Sequence, residues 1–218
     1  MTPSSVPDLH PQRNGDAAID LRSARTFLRQ WLRNPLRMAS ITPSGRQLAR
    51  LMVKQLPAGA SRVVEVGAGT GVFTRALLDT GLLPSQLLVI EINPDLAAFL
   101  RDRFPAVTVA CADARHLDTL ASEHGLTAGG KLDAVVSGLG MLSMSAALRT
   151  EILGAAFRAL ADTGRFIQFT YGPVSPVRPQ EREALGLRVR RAAFAPVNLP
   201  PATVYVYERL PSRQAAAA

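Results

Sequence analysis

One carboxylate and three glycines mark the stretch of this 218-residue chain best suited to chemistry: Glu65, Gly67, Gly69 and Gly71. They lie in Val63-Val64-Glu65-Val66-Gly67-Ala68-Gly69-Thr70-Gly71. The run before the glycines is apolar and β-branched, as in a strand buried on both faces. Val72 to Leu78 follow with a helical pattern. Strand, glycine turn and helix in succession let main chain approach a bound nucleotide closely. The spacing is G-x-G-x-G, one residue short of the dinucleotide fingerprint G-x-G-x-x-G. A plainer reading is that the glycines only let the helix pack on the strand.

With Glu65 in front, E-x-G-x-G-x-G resembles motif I of the class I S-adenosylmethionine-dependent methyltransferases. The resemblance implies that the amino-acid end of that cofactor lies against main chain from Gly67 through Ala68 and Gly69 to Gly71. Glu65 is then part of the cofactor site. In open α/β sheets ligands sit outside the carboxyl ends of the strands, so the other candidates are sought there. Strand two ends at Glu91-Ile92-Asn93. Glu91 can accept both hydroxyls of a ribose, or be a surface glutamate before the Asn93-Pro94 turn. Ile92 would wall the adenine. Strand three ends at Cys111-Ala112-Asp113, where Asp113 can accept the adenine amino group or cap the next helix, and Ala112 leaves room for the ring. Strand four ends at Ser137-Gly138-Leu139-Gly140-Met141. The resemblance puts this point beside the transferred methyl, which makes Ser137 and Leu139 catalytic candidates and Met141 an acceptor contact. Tyr171, at the end of strand five, can offer its phenol or its π face to an alkylated ammonium. It can equally be a core tyrosine.

The elements that position these residues alternate. Strands are predicted at 62–66, 87–92, 107–110, 132–137 and 164–170, with helices near 71–80, 94–103, 115–123 and 145–160. Alternation of this kind gives right-handed βαβ units and a parallel sheet. Residues 187–194 and 203–208 can pair as a hairpin at one edge. The expected fold class is α/β: a Rossmann-like, seven-stranded sheet of the class I methyltransferase kind. It has five parallel strands, a C-terminal antiparallel hairpin and an N-terminal amphipathic helical extension. Residues 1–19 and 211–218 read as tails, 20–56 as the extension and 57–210 as the cofactor domain.

The net charge of +8 is uneven: residues 1–60 hold nine basic and three acidic side chains. A helix from Asp20 to about Asn34 carries Phe27 and Trp31 on an apolar face. Arg22, Arg25, Arg29 and Arg33 form a stripe beside it. This describes a helix lying in an anionic membrane surface, or one that caps the core with its arginines solvated. Ser44 is expected to cap a helix from Gly45 to Gln55, and Arg46 follows it in a polar cluster. Cys111 is the single cysteine, so no internal disulfide is expected. No Cys/His cluster has metal spacing, and no apolar run reaches the ~20 residues of a membrane span.

Further motifs, from about Phe27 to Arg209, sharpen the resemblance. They are Phe27-Leu28-Arg29-Gln30-Trp31, Thr42-Pro43-Ser44-Gly45-Arg46, Val135-Val136-Ser137-Gly138-Leu139, Gln168-Phe169-Thr170-Tyr171-Gly172-Pro173 and Asn198-Leu199-Pro200-Pro201. Together they resemble the bacterial phospholipid N-methyltransferases of the Agrobacterium–Sinorhizobium type. The resemblance implies S-adenosylmethionine as cofactor and stepwise N-methylation of phosphatidylethanolamine to phosphatidylcholine. It further implies a peripheral enzyme at the inner face of the cytoplasmic membrane, with Ser44 and Arg46 near the headgroup. Gly140-Met141 departs from the Pro-Leu-like pair expected there. A monomer with no nucleic-acid partner and no metal is expected. Two other readings stay open. One is an rRNA adenine N6-dimethyltransferase, although that chemistry wants Asn and an aromatic where Ser137-Gly138-Leu139-Gly140 stands. The other is a cofactor-binding membrane-surface protein without turnover.

Overall fold

A computed structural model describes residues 43–196, 198 and 200–211. The membrane candidates Arg22, Arg25, Phe27, Arg29, Trp31 and Arg33 lie outside the described residues.

Seven strands form one sheet: β1 Val63–Val66, β2 Leu87–Glu91, β3 Thr108–Cys111, β4 Leu132–Ser137, β5 Leu160–Tyr171, β6 Leu187–Ala195 and β7 Ala202–Arg209. Their order is β3-β2-β1-β4-β5-β7-β6. The first five run parallel, β7 lies antiparallel to β5, and β6 is antiparallel to β7. Every residue of β1 and β2 is buried, as a central strand covered on both faces requires.

Among the described residues six α-helices accompany the sheet: α1 Pro43–Val53, α2 Val72–Leu78, α3 Pro94–Arg103, α4 Leu117–Glu123, α5 Ala146–Ala159 and α6 Pro179–Ala184. They form two layers. Leu48 and Met52 of α1, Phe73 and Leu77 of α2 and Leu100 of α3 pack with Val63, Val89, Val136 and Val204 on one face. Leu117 of α4 and Ile152 and Phe157 of α5 pack with Val64, Val135, Phe166 and Tyr207 on the other. Local chemistry sets the boundaries. Asn93 caps α3, its side chain accepting from the N–H groups of Asp95 and Leu96, and Pro94 opens the helix. Ser145 does the same for α5 through Leu148 N.

Three boundaries differ from expectation. Helix α1 starts at Pro43, so Ser44 falls inside its first turn instead of preceding it; a proline suits the first helical position because it lacks an N–H where none has an intrahelical partner. β5 starts at Leu160, directly after α5, because Leu160 already pairs with Leu132 before a bulge. The Pro- and Arg-rich link after Tyr171 contains α6. That helix is held by a buried ion pair, Arg149 Nη2 to Glu181 Oε1 at 2.6 Å. Arg149 also donates to the carbonyls of Met141 and Met144, so it fixes the turn after β4.

Among the described residues no helix is long and apolar enough to cross a membrane.

Candidate active site

All three motif glycines are left-handed, with φ of 67° at Gly67, 57° at Gly69 and 78° at Gly71. L-residues with side chains rarely adopt that conformation, so the turn depends on them. Space imposes a second limit. A Cβ on Gly138 would overlap the carbonyl oxygen of Gly67, and one on Gly67 would meet Leu139 Cδ2 at 2.6 Å. Backbone from β1 and β4 thus touches at the sheet's carboxyl end. The bond from Gly138 N to Val66 O, 2.8 Å, holds it there.

This contact floors a cavity of about 280 Å³. The cavity brings together Gly67, Gly69, Glu91, Ile92, Ala112, Asp113 and Leu139, all expected at the site. Sequence reasoning missed its far wall, Leu148 and Ile152 of α5 with Ser143 and Met144 of the preceding turn. The signal was present in the helical spacing of Leu148 and Ile152, but nothing in the pattern says that α5 leans over the cavity.

Glu91 is 6% exposed, so it is not a surface glutamate. Its Oε2 accepts from Gly69 N at 2.9 Å and its Oε1 from Asn93 N at 3.0 Å. Each oxygen keeps a lone pair for a further donor. Asp113 does cap, accepting from Arg115 N at 2.9 Å, and its Oδ2 is clasped by the Arg115 side chain. Those hydrogen bonds hold its carboxyl below the usual carboxylate range.

Glu65 is fully buried and does not line the cavity. Thr74 Oγ1 donates to its Oε2 at 2.6 Å, while Oε1 has no partner. Burial without a counter-charge pushes its pKa up to about 8, against the pull of Thr74. Ala68 and Gly71 form the turn beneath, with Gly71 N bonded to Ala68 O at 2.9 Å. Ser137 is buried, and its Oγ accepts from Leu139 N at 3.3 Å, shaping the bend that carries Leu139 into the cavity.

Met141 corrects an expectation. It is 1% exposed and packed in the core, not at an acceptor site, because a short 3-10 turn over Met141–Ser143 rolls it inward. Tyr171 lies outside the cavity lining, half-buried, at the end of an aromatic chain. Its ring centroid is 5.4 Å from that of Phe169, which is 5.7 Å from that of Phe73. Burial raises the Tyr171 phenol pKa. Arg46 is exposed in the first turns of α1.

A nucleoside with an amino-acid tail fits this arrangement: apolar walls for a purine, a buried carboxylate with spare acceptor capacity, and a glycine cradle that a Cβ would fill. Among the described residues no group of three His, Cys, Asp or Glu can hold a metal ion.

The fold and this cradle define a class I S-adenosylmethionine-dependent methyltransferase, and residues 63–164 match the family described as "Methyltransferase domain". The chain belongs to that class, with S-adenosylmethionine as its cofactor. It is similar to an ornithine lipid N-methyltransferase of Singulisphaera acidiphila, 33% identical over 183 residues, which are 82% of this chain and 92% of the relative. It is also 38% identical to the ribosomal RNA small subunit methyltransferase A of Bordetella pertussis. That likeness covers only 102 residues, 46% of this chain and 34% of the relative. In fold it resembles the magnesium protoporphyrin IX methyltransferase of Synechocystis, solved with bound S-adenosylmethionine. The TM-score is 0.59 and identity 14%, over 89% of this chain and 100% of that one.

Proposed function

We propose that the protein transfers methyl groups to the primary amine of a membrane lipid, phosphatidylethanolamine being the substrate its motifs favour. The observation that carries this reading is the similarity to a lipid N-methyltransferase along 92% of that relative's length. The likeness to an RNA methyltransferase spans only 46% of this chain and 34% of that relative. Ser137-Gly138-Leu139-Gly140 also lacks the Asn and aromatic that would hold a flipped base. Ornithine lipid is a second candidate, favoured by the same relative; it too presents a primary amine. The inner face of the cytoplasmic membrane is the proposed place of work.

When bound, the cofactor supplies a sulfonium methyl group open to attack by a neutral amine. Glu91 and the glycine turn would hold the ribose and amino-acid ends, with Ile92 and Ala112 against the purine and Asp113 at its edge. Leu139 would wall the amine's approach. An amine of ordinary pKa is mostly protonated near neutrality, and burial beside apolar walls lowers that pKa. Tyr171, its phenol neutral under such conditions, cannot serve as base; its ring can face a methylated ammonium.

Incubation with labelled S-adenosylmethionine and, separately, vesicles of phosphatidylethanolamine, vesicles of ornithine lipid, and ribosomal RNA tests the reading. Label is expected in lipid, and the vesicle that takes it names the substrate. Label in RNA alone overturns it. Comparing Tyr171→Phe with Tyr171→Ala separates phenol from ring; full activity in both removes Tyr171 from the mechanism.

A further inference from the structure

Five large apolar side chains are exposed among the described residues: Leu83, Ile92, Val174, Phe194 and Leu210. Three stand at the carboxyl end of the sheet, where the cavity opens. Ile92 directly follows β2, is 65% exposed and lines the cavity. Val174 follows β5 and is 63% exposed. Phe194 lies in β6, level with the end of β5, because Phe194 pairs with Thr203 and Thr203 with Thr170. β2 and β6 are five strands apart, about 24 Å at ordinary strand spacing. The apolar points therefore span most of the sheet's width.

Val174 is held outward. The carbonyl before it, Pro173 O, accepts from Tyr205 Oη, and the Oγ after it, on Ser175, lies 2.7 Å from Tyr207 Oη. Two tyrosines of β7 thus clamp the backbone on both sides of an exposed valine. One exposed valine alone is ordinary; held outward beside Ile92 and Phe194 at the same end of the sheet, it adds to an apolar rim.

Cations accompany these residues. Arg191 is exposed and sits over the Phe194 ring, 5.3 Å from its centroid. Arg46, exposed near the start of α1, is placed toward this end by the direction of that helix. The other end of α1 is fixed near the sheet's amino edge, where Gln55 O accepts from Arg165 at the start of the β4–β5 pairing. Neither Arg46 nor Arg191 forms an ion pair among the described residues. Of the acids at this end, Glu91 is buried and Asp113 is taken by Arg115. Asp95 remains, in the first turn of α3. Apolar points beside unpaired arginines match an interface with anionic lipid, where rings and aliphatic groups enter the headgroup layer and arginines meet phosphate.

We propose that the carboxyl rim of the sheet docks on an anionic bilayer through Ile92, Val174 and Phe194, with Arg46 and Arg191 on lipid phosphates. The proposal rests on the lipid-amine reading: it lets the cavity mouth meet the headgroup without the lipid leaving the membrane. The test is sedimentation of the full chain with vesicles of phosphatidylethanolamine and phosphatidylglycerol. The variants are Val174→Asp and Phe194→Asp, with Leu83→Asp and Leu210→Asp as controls from outside the rim. Each rim variant is expected to weaken vesicle binding at least about tenfold while binding S-adenosylmethionine as before. Each should also methylate a dissolved short-chain phosphatidylethanolamine at the unaltered rate. Both controls are expected to bind vesicles normally. Rim variants that bind like the unaltered protein, or controls that lose as much, overturn the proposal. So does a rim variant that splits a dimer and leaves vesicle binding intact. The dissolved lipid separates the two ideas. No transfer to any lipid amine removes the reading and the docking together, whereas transfer with vesicle binding indifferent to the rim removes the docking alone.

Discussion

Glu91 Oε2 accepts the backbone N–H of Gly69 at 2.9 Å, joining the end of β2 to the middle of the glycine turn. The carboxylate therefore shapes the cradle as well as offering lone pairs to a ligand. Glu91→Gln keeps the volume but aims an amide donor at one of two N–H groups. A hydrogen bond to a charged group contributes about 1.5–3 kcal/mol, so affinity for S-adenosylmethionine should fall about tenfold to a hundredfold. Titration calorimetry measures this, and an unchanged dissociation constant contradicts the role.

Glu65 makes stability depend on pH. With its folded pKa near 8, the native state holds a proton that the unfolded chain gives up from about pH 4.5. The stability it contributes is complete below that window and is lost as pH rises through it. Glu65→Gln stays neutral throughout and can still accept from Thr74. Its melting temperature relative to the unaltered protein should climb from about pH 5 to about pH 8.5. Thermal unfolding at both values gives the comparison; a constant difference removes Glu65 as the cause.

Gly138 and Gly154 should respond in opposite directions to alanine. At Gly138 the new Cβ overlaps Gly67 O, a backbone atom that cannot swing aside. Overpacking of this kind costs about 1–3 kcal/mol, and cofactor binding should weaken with it. At Gly154, inside α5, the Cβ meets only Arg158 Nη1 at 3.4 Å, the tip of a flexible side chain. Helix propensity then favours alanine by about 1 kcal/mol, raising the melting temperature by about 2–4 °C. A Gly138→Ala protein that melts and binds like the original refutes the contact.

Thr170 and Thr203 face each other across β5 and β7, 4% and 0% exposed, and neither hydroxyl has a partner. An unpaired buried hydroxyl costs stability, and valine has nearly the same shape. Thr170→Val and Thr203→Val are therefore expected to melt at or above the original temperature. Chemical denaturation is the check, and a loss of about 1 kcal/mol or more would show that water or a ligand satisfies these groups.

Much of the sheet was legible because its central strands are short apolar runs ended by residues of special conformation. The Val63–Val66 run before the glycines and the Asn93-Pro94 start of α3 fell within a residue of prediction. α6 was not legible: six residues containing Pro179 and two glutamates have no apolar period, and a distant partner, Arg149, holds them. Met141 was misjudged because a one-turn 3-10 segment reverses which way a side chain points. Gln168, Thr170 and Thr203 drew no attention as a group, since only the register of β7 between β5 and β6 sets the two threonines opposite each other.

That insertion of β7 also governs when the protein can come into being. Among the described residues β6 has no strand beside it but β7, and the tyrosine clamps on residues 173–175 come from the same strand. The ribosome must deliver the chain as far as Arg209 before the sheet closes. A premature stop before Ala202 would leave β5 as a bare edge and β6 stranded, the kind of unpaired surface that recruits other chains. Such an allele should produce inclusion bodies and not a shortened enzyme.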